Sequence, residues 1–94
     1  MNQILSDILK EVERATKKFN NWPTDPLHAL AVIGEEYGEL NKAVLQQVYE
    51  PHKNKQDEIR TEAIQTAAMI IRFLSSLDEY KFDKSEQHIQ QELK

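Results

Sequence analysis

From Leu27 to Tyr49 apolar residues recur every three or four positions, and Leu30, Ile33, Tyr37, Leu40, Val44 and Val48 gather into one stripe when the segment is wound as a helix. That period commits the segment to a long helix. Inside it, Glu35, Glu36 and Glu39 interrupt the apolar run. At roughly 100° per residue, Glu36 and Glu39 stand roughly 60° and about one turn apart, so both can converge on one object. The nearest angular neighbours of Glu36 are Ala29, Val32, Leu40 and Ala43, which aims its carboxylate into the flank of the packed face. A bare carboxylate is costly there.

The flanking sequence divides the chain around this helix. Asn2 to Phe19 is amphipathic: Ile4, Leu5, Ile8, Leu9, Val12, Ala15 and Phe19 share one half of the wheel, and Asp7, Lys10, Glu11, Arg14, Lys17 and Lys18 the other. Turn formers fill Asn20 to Pro26, with Asp25 and Pro26 placed as N-cap and first helical residue of the second helix. Pro51 stops that helix, and Glu50 to Gln56 reads as a polar connection. A third helix is expected from Asn54–Asp57 to about Tyr80. Its apolar residues point in two directions, Ile59, Ala63, Thr66, Ile70, Phe73, Leu74 and Leu77 in one and Ile64, Ala67 and Ile71 in the other. Such a helix is central in its bundle or lies at a subunit interface. Lys81 to Asp83 break the pattern, and Ser85 to Leu93 fits a short fourth helix.

The fold expected is therefore all-α: a bundle of three long helices plus a short C-terminal helix, in one domain over residues 1–94. Only 2 Gly and 3 Pro, with 30% charged residues, suit long helices better than a turn-rich β fold. A chain of 94 residues buries a modest fraction of its surface, and oligomerisation would add to it. With 0 Cys there are no disulfides or thiolate metal sites, which fits a reducing, cytoplasmic setting. Met1 to Asp7 carry an acid and lack the basic start and apolar run expected of a signal peptide, and no run approaches membrane-spanning length. A net charge of −4 argues against binding nucleic-acid polymers or membrane surfaces through a broad basic face. It leaves open phosphates held through a divalent cation.

The third helix repeats the anomaly of the second, since Glu62 falls among Thr66, Met69 and Phe73 on its packed side. Carboxylates from two helices, each set where an apolar side chain is expected, are suited to a divalent metal. Mg²⁺ prefers oxygen ligands and is held by a few carboxylates together with substrate phosphates. Glu36 and Glu39 facing Glu62 supply such ligands, and Gln65, about one turn beyond Glu62, can add an amide oxygen. Glu35 and Glu58 stand at the edge of the same region.

Glu35-Glu36-Tyr37-Gly38-Glu39, followed after a spacer by Glu62-Ala63-Ile64-Gln65, resembles the EExxE and ExxD signature of MazG-like all-α nucleoside triphosphate pyrophosphohydrolases. The resemblance covers the second and third helices, about half of the chain. It implies a helical bundle that associates as a homodimer or homotetramer. It also implies hydrolysis of a nucleoside triphosphate between its α and β phosphates, with Mg²⁺ (or Mn²⁺) as cofactor, releasing a monophosphate and pyrophosphate. By motif position, Glu36, Glu39 and Glu62 would be metal ligands, and Glu35, with Glu36, would position or deprotonate water. The family's last acid is Gln65 here, which can donate an oxygen but no charge.

Position alone makes Lys42 and Arg72 candidate phosphate contacts and Trp22 a candidate surface for stacking a base. Each has a plainer reading. Lys42 and Arg72 can be solvated or paired with acids, Trp22 can pack its loop onto the core, and Glu58 can be a first-turn acid favouring the helix N-terminus. Tyr37, Met69 and Phe73 are expected in the core. The alternative for the whole chain is a catalytically weak helical module that binds nucleotide or another protein, with Gln65 as the reason for the weakness. A purely structural acidic bundle is a third possibility.

Overall fold

The computed structural model describes residues 1–82. They form three α-helices, α1 (Asn2–Lys18), α2 (Pro26–Tyr49) and α3 (Gln56–Ser75), with 3-10 turns at Pro51–Lys53 and Leu77–Glu79 and no strand among the described residues. The class is all-α. The helix expected at Ser85 to Leu93 lies outside the described residues.

Local chemistry explains most of the boundaries. Lys17 and Lys18 in the last turn of α1 oppose the partial negative charge of its C-terminus. The Asp25 carboxylate accepts a hydrogen bond from the Leu27 backbone N–H at 2.9 Å, and Pro26 occupies the first helical position, where no N–H is needed. At the other end of α2 the chain leaves the helix after Tyr49, just before Pro51. Asn54 then adopts a left-handed conformation (φ 50°), which its short polar side chain tolerates better than most. Gln47 Oε1 accepts the Lys55 N–H at 2.6 Å across this turn, so α2 and α3 run antiparallel.

The two-sided helix is central, one of the two placements its pattern allows. α3 packs against both α1 and α2, whose own backbones do not approach each other. Asp7 on α1 accepts a hydrogen bond from Arg60 Nη2 on α3 at 2.7 Å. Ala15, Ala68 and Met69 form the buried cluster, with Val12, Trp22, Val32 and Ile33 packed around it. Ala29 and Ala43 are buried on the α2 side that meets α3. Among the described residues no large side chain is fully buried.

The structure departs from the sequence expectation in two places. α3 ends at Ser75, short of Tyr80. In a continuous helix Tyr80 would stand about 10 Å along the axis from Phe73, yet their ring centroids are 5.0 Å apart. The chain folds back through Leu77–Glu79, and the Tyr80 hydroxyl accepts from Trp22 Nε1 at 2.7 Å and donates to the Phe73 carbonyl at 3.2 Å. The Lys81 N–H adds a bond to the Thr24 carbonyl at 3.1 Å. These contacts outweigh the helical pattern. The second departure concerns α2, whose main apolar stripe is only partly used within the chain: Ile33 packs on the buried cluster, but Leu30, Tyr37 and Val48 are 56%, 59% and 64% exposed. Tyr37 is thus outside the core of the chain, because the small residues flanking Glu36 make the close contact with α3. No helix among the described residues is long and apolar enough to cross a membrane.

Candidate active-site groove

The flank of α2 that packs on α3 carries Glu36 inward between buried Ala29 and Ala43, and the antiparallel run of α3 brings Glu62 and Gln65 opposite it. With the Gln65 amide nitrogen turned towards the acids, it stands 3.2 Å from Glu36 Oε2 and 3.2 Å from Glu62 Oε2 and donates to both. The two carboxylate oxygens therefore lie within twice that distance of each other. Thr66, next in sequence, is satisfied within α3 through its hydroxyl and the Glu62 carbonyl at 2.8 Å.

The two acids are held above the usual carboxylate range. For Glu36 the main cause is burial, followed by the charges of Glu11, Glu35 and Glu39, with partial relief from Arg14. For Glu62 it is again burial first, then the charges of Glu36, Glu39 and Glu58. When both are ionised their charge is under-compensated, and a hydrogen-bonding amide offsets only part of it. Two such carboxylates with an amide oxygen within reach form a hard donor set of the kind Mg²⁺ and Mn²⁺ accept. Among the described residues no three His, Cys, Asp or Glu side chains converge as a metal-holding group. The third convergent side chain is the amide.

A groove of about 390 Å³ opens beside these residues, in the size range of small-molecule sites. Glu35, Glu36 and Gln65 line it, as do Trp22, Met69 and Arg72. Gln65, Met69 and Arg72 follow one another along α3, so the groove extends about 10 Å from an acidic end to an aromatic one. At the aromatic end, the Arg72 guanidinium lies 4.7 Å from the centre of the Trp22 ring, and its Nη2 donates to the Phe19 carbonyl at 2.7 Å. Arg72 is only 8% exposed, and burial lowers its pKa from the usual guanidinium value. It thus joins the end of α1, the following loop and α3.

The remaining sequence candidates lie further out. Glu39 is exposed on α2, although its charge reaches both Glu36 and Glu62. Glu58 is exposed and pairs with Lys55 at 3.0 Å. Lys42 lines a separate shallow surface with Asn41 and Tyr49. Two residues that the sequence did not single out do line the groove: Glu11 and Arg14 of α1. Arg14 donates from Nε and Nη2 to the two Glu11 oxygens at 2.9 and 2.5 Å. Their place in the polar half of an amphipathic helix reads as solvated, and only the packing of α1 on α3 brings them beside Glu36. No family model, curated protein or solved structure matches this chain.

Proposed function

We propose that the chain is a MazG-like, divalent-cation-dependent nucleoside triphosphate pyrophosphohydrolase. The observation that carries this reading is the meeting of Glu36 and Gln65, with Glu62 behind them on α3, at one end of a groove that has Trp22 at the other. Glu36 and Glu62 would hold Mg²⁺ or Mn²⁺, with Gln65 turning its amide oxygen inward and Glu39 completing the set from the rim. When bound, such an ion would neutralise the triphosphate and offset charge on the departing pyrophosphate.

The chain's own residues supply the rest. Glu35, on the groove wall, accepts the proton of a water that attacks at the α–β linkage; the phosphorus–oxygen bond to the leaving pyrophosphate breaks, and a monophosphate remains. Trp22 is fixed through Tyr80 and Arg72, so it offers a base a surface that loses little freedom on binding. The outward apolar stripe of α2 supports self-association as a homodimer or homotetramer.

The second reading, a nucleotide-binding module with weak or no turnover, is favoured by the amide at position 65 and by the absence of a three-acid group among the described residues. Pyrophosphate release from a panel of standard and modified nucleoside triphosphates, with Mg²⁺ or Mn²⁺, separates the two. The hydrolase reading expects turnover of at least one substrate, lost in Glu36→Gln and reduced in Glu39→Gln. No release from any member of the panel leaves the binding module.

A further inference from the structure

The acidic end of the groove poses an electrostatic problem for the substrate proposed above. A triphosphate is strongly anionic, and Glu11, Glu35 and Glu36 all line the space it must enter. Two arginines line the same groove. Arg72 is buried, stacked on Trp22 and bonded to a main-chain carbonyl, which commits it to holding the fold together. Arg14 is different in each respect. Its side chain is 53% exposed, its partner Glu11 is three residues away on the same helix, and its positive charge acts on Glu36 at the acidic end.

We propose that Arg14 binds a phosphate of the nucleotide, and that Glu11 holds the guanidinium in place until the nucleotide arrives. The inference rests on the nucleotide reading of the groove. A guanidinium fork matches two oxygens of one phosphate as well as it matches a carboxylate, so Arg14 can keep paired charge throughout an exchange of partners. Glu11 uses the Nε–Nη2 edge, and among the described residues Arg14 makes no other hydrogen bond. The second edge is therefore open to phosphate while the first is still held. The Arg14 side chain is half exposed while that of Glu11 is 15% exposed, so a phosphate reaches the guanidinium from the groove side while Glu11 keeps its own edge. Arg14 would also supply positive charge beside a cation site in which Gln65 stands instead of an acid, attracting the phosphates where the side chains otherwise repel them.

The test uses Trp22, the only tryptophan of the chain, as a fluorescent reporter. The full chain with Mg²⁺ is titrated with an α,β-imido nucleoside triphosphate and separately with the corresponding nucleoside. Arg14→Ala should weaken binding of the triphosphate analogue at least about tenfold, as loss of a charge-assisted contact does, and leave nucleoside binding unchanged. Arg14→Lys should recover part of the loss, and Glu11→Gln, which frees the guanidinium, should bind the analogue as tightly as the parent or more tightly. Equal affinity of the parent and Arg14→Ala for the analogue overturns the proposal, whether or not the parent turns over. An Arg14→Ala loss shared equally by the nucleoside also overturns it, unless circular dichroism shows lost helix, in which case Arg14→Lys decides by the same comparison. If the parent binds the analogue through Arg14 but releases no pyrophosphate from any triphosphate, the hydrolase reading falls and the phosphate contact stands. A parent that binds no analogue removes both.

Discussion

With its amide nitrogen turned inward, Gln65 stands 3.2 Å from an oxygen of Glu36 on α2 and 3.2 Å from an oxygen of Glu62 on α3. The antiparallel hairpin thus sets two partly buried acids against each other and separates them by one neutral group. Each is pushed above the usual carboxylate range by burial before any neighbouring charge is counted. A site so arranged is less stable empty and ionised than filled by a cation or neutralised.

Removing either charge should therefore stabilise the chain in chelator. Glu36→Gln and Glu62→Gln are expected to raise the melting temperature slightly, by less than about 1 kcal/mol of stability given the partial solvent access, and to abolish any rise on adding Mg²⁺. Calorimetry with and without Mg²⁺ reads both effects. Lower stability of both variants in chelator would show that the carboxylates serve the fold as they stand.

The pH dependence in chelator has a sign fixed by the same shifts. Glu36 and Glu62 bind protons more tightly folded than unfolded, so their contribution is fully present below the ordinary carboxylate value of 4.5 and is lost as pH rises through their raised folded values. Asp7 works the other way. Its hydrogen bond from Arg60 lowers its pKa from 3.8, so its contribution is present above that value and is lost as pH falls through the depressed one. Melting curves should show a shallower decline above pH 4.5 in Glu36→Gln and a weaker acid limb in Asp7→Asn. Curves parallel to the parent's would rule out these linkages.

Gln65→Asp restores a carboxylate at the position where the resembled motif has one. It should tighten Mg²⁺ binding by about an order of magnitude, as expected for an added charge at a partly desolvated site. In chelator it should destabilise the fold, because two donated hydrogen bonds are exchanged for a third negative charge. Isothermal titration with Mg²⁺ and melting in chelator test the two signs together, and unchanged affinity would place the cation away from Gln65.

Arg72 is expected to matter to the fold. Arg72→Ala removes the stacking on Trp22 and the bond to the Phe19 carbonyl, and should cost about 2–3 kcal/mol. Urea melts followed by Trp22 fluorescence give both the cost and a change in the emission of the folded state. A variant that melts like the parent would show that Trp22 is held by Tyr80 alone.

What the sequence made legible was set by local chemistry. The Asp25–Pro26 start of α2, its stop before Pro51, and the central position of α3 all follow from spacing and capping. So does the inward aim of Glu36, because its flanking alanines are readable on a wheel. What escaped depends on contacts between distant residues. Tyr80 leaves the helical pattern because Trp22, 58 positions earlier, donates its Nε1–H to the Tyr80 hydroxyl. Glu11 and Arg14 lie on the polar half of α1, where nothing distinguishes them from Lys10 or Lys17 until α1 is docked on α3. The apolar stripe of α2 is plain on a helical wheel, yet intrachain packing uses chiefly the small-residue flank because short side chains let α3 approach.

The exposed part of that stripe leads to the last prediction. Leu30, Tyr37 and Val48 are mostly exposed, and Gly34 and Gly38 lie between them with nothing within 4 Å of where a Cβ would stand. Glycine inside a helix costs about 1 kcal/mol relative to alanine, and no contact within the described chain requires either one. A second copy crossing α2 at the glycines would account for both features, since close approach of another helix is what a missing Cβ permits. Sedimentation equilibrium should show self-association, weakened about tenfold or more by Val48→Glu or Leu30→Glu through the loss of buried apolar area and the burial of a charge. Gly34→Ala gives the decisive sign. In a chain whose α2 faces water it should raise stability, whereas at a helix crossing it should weaken association despite its better helix propensity. A Gly34→Ala variant that is more stable and no less associated would move the interface elsewhere on the bundle.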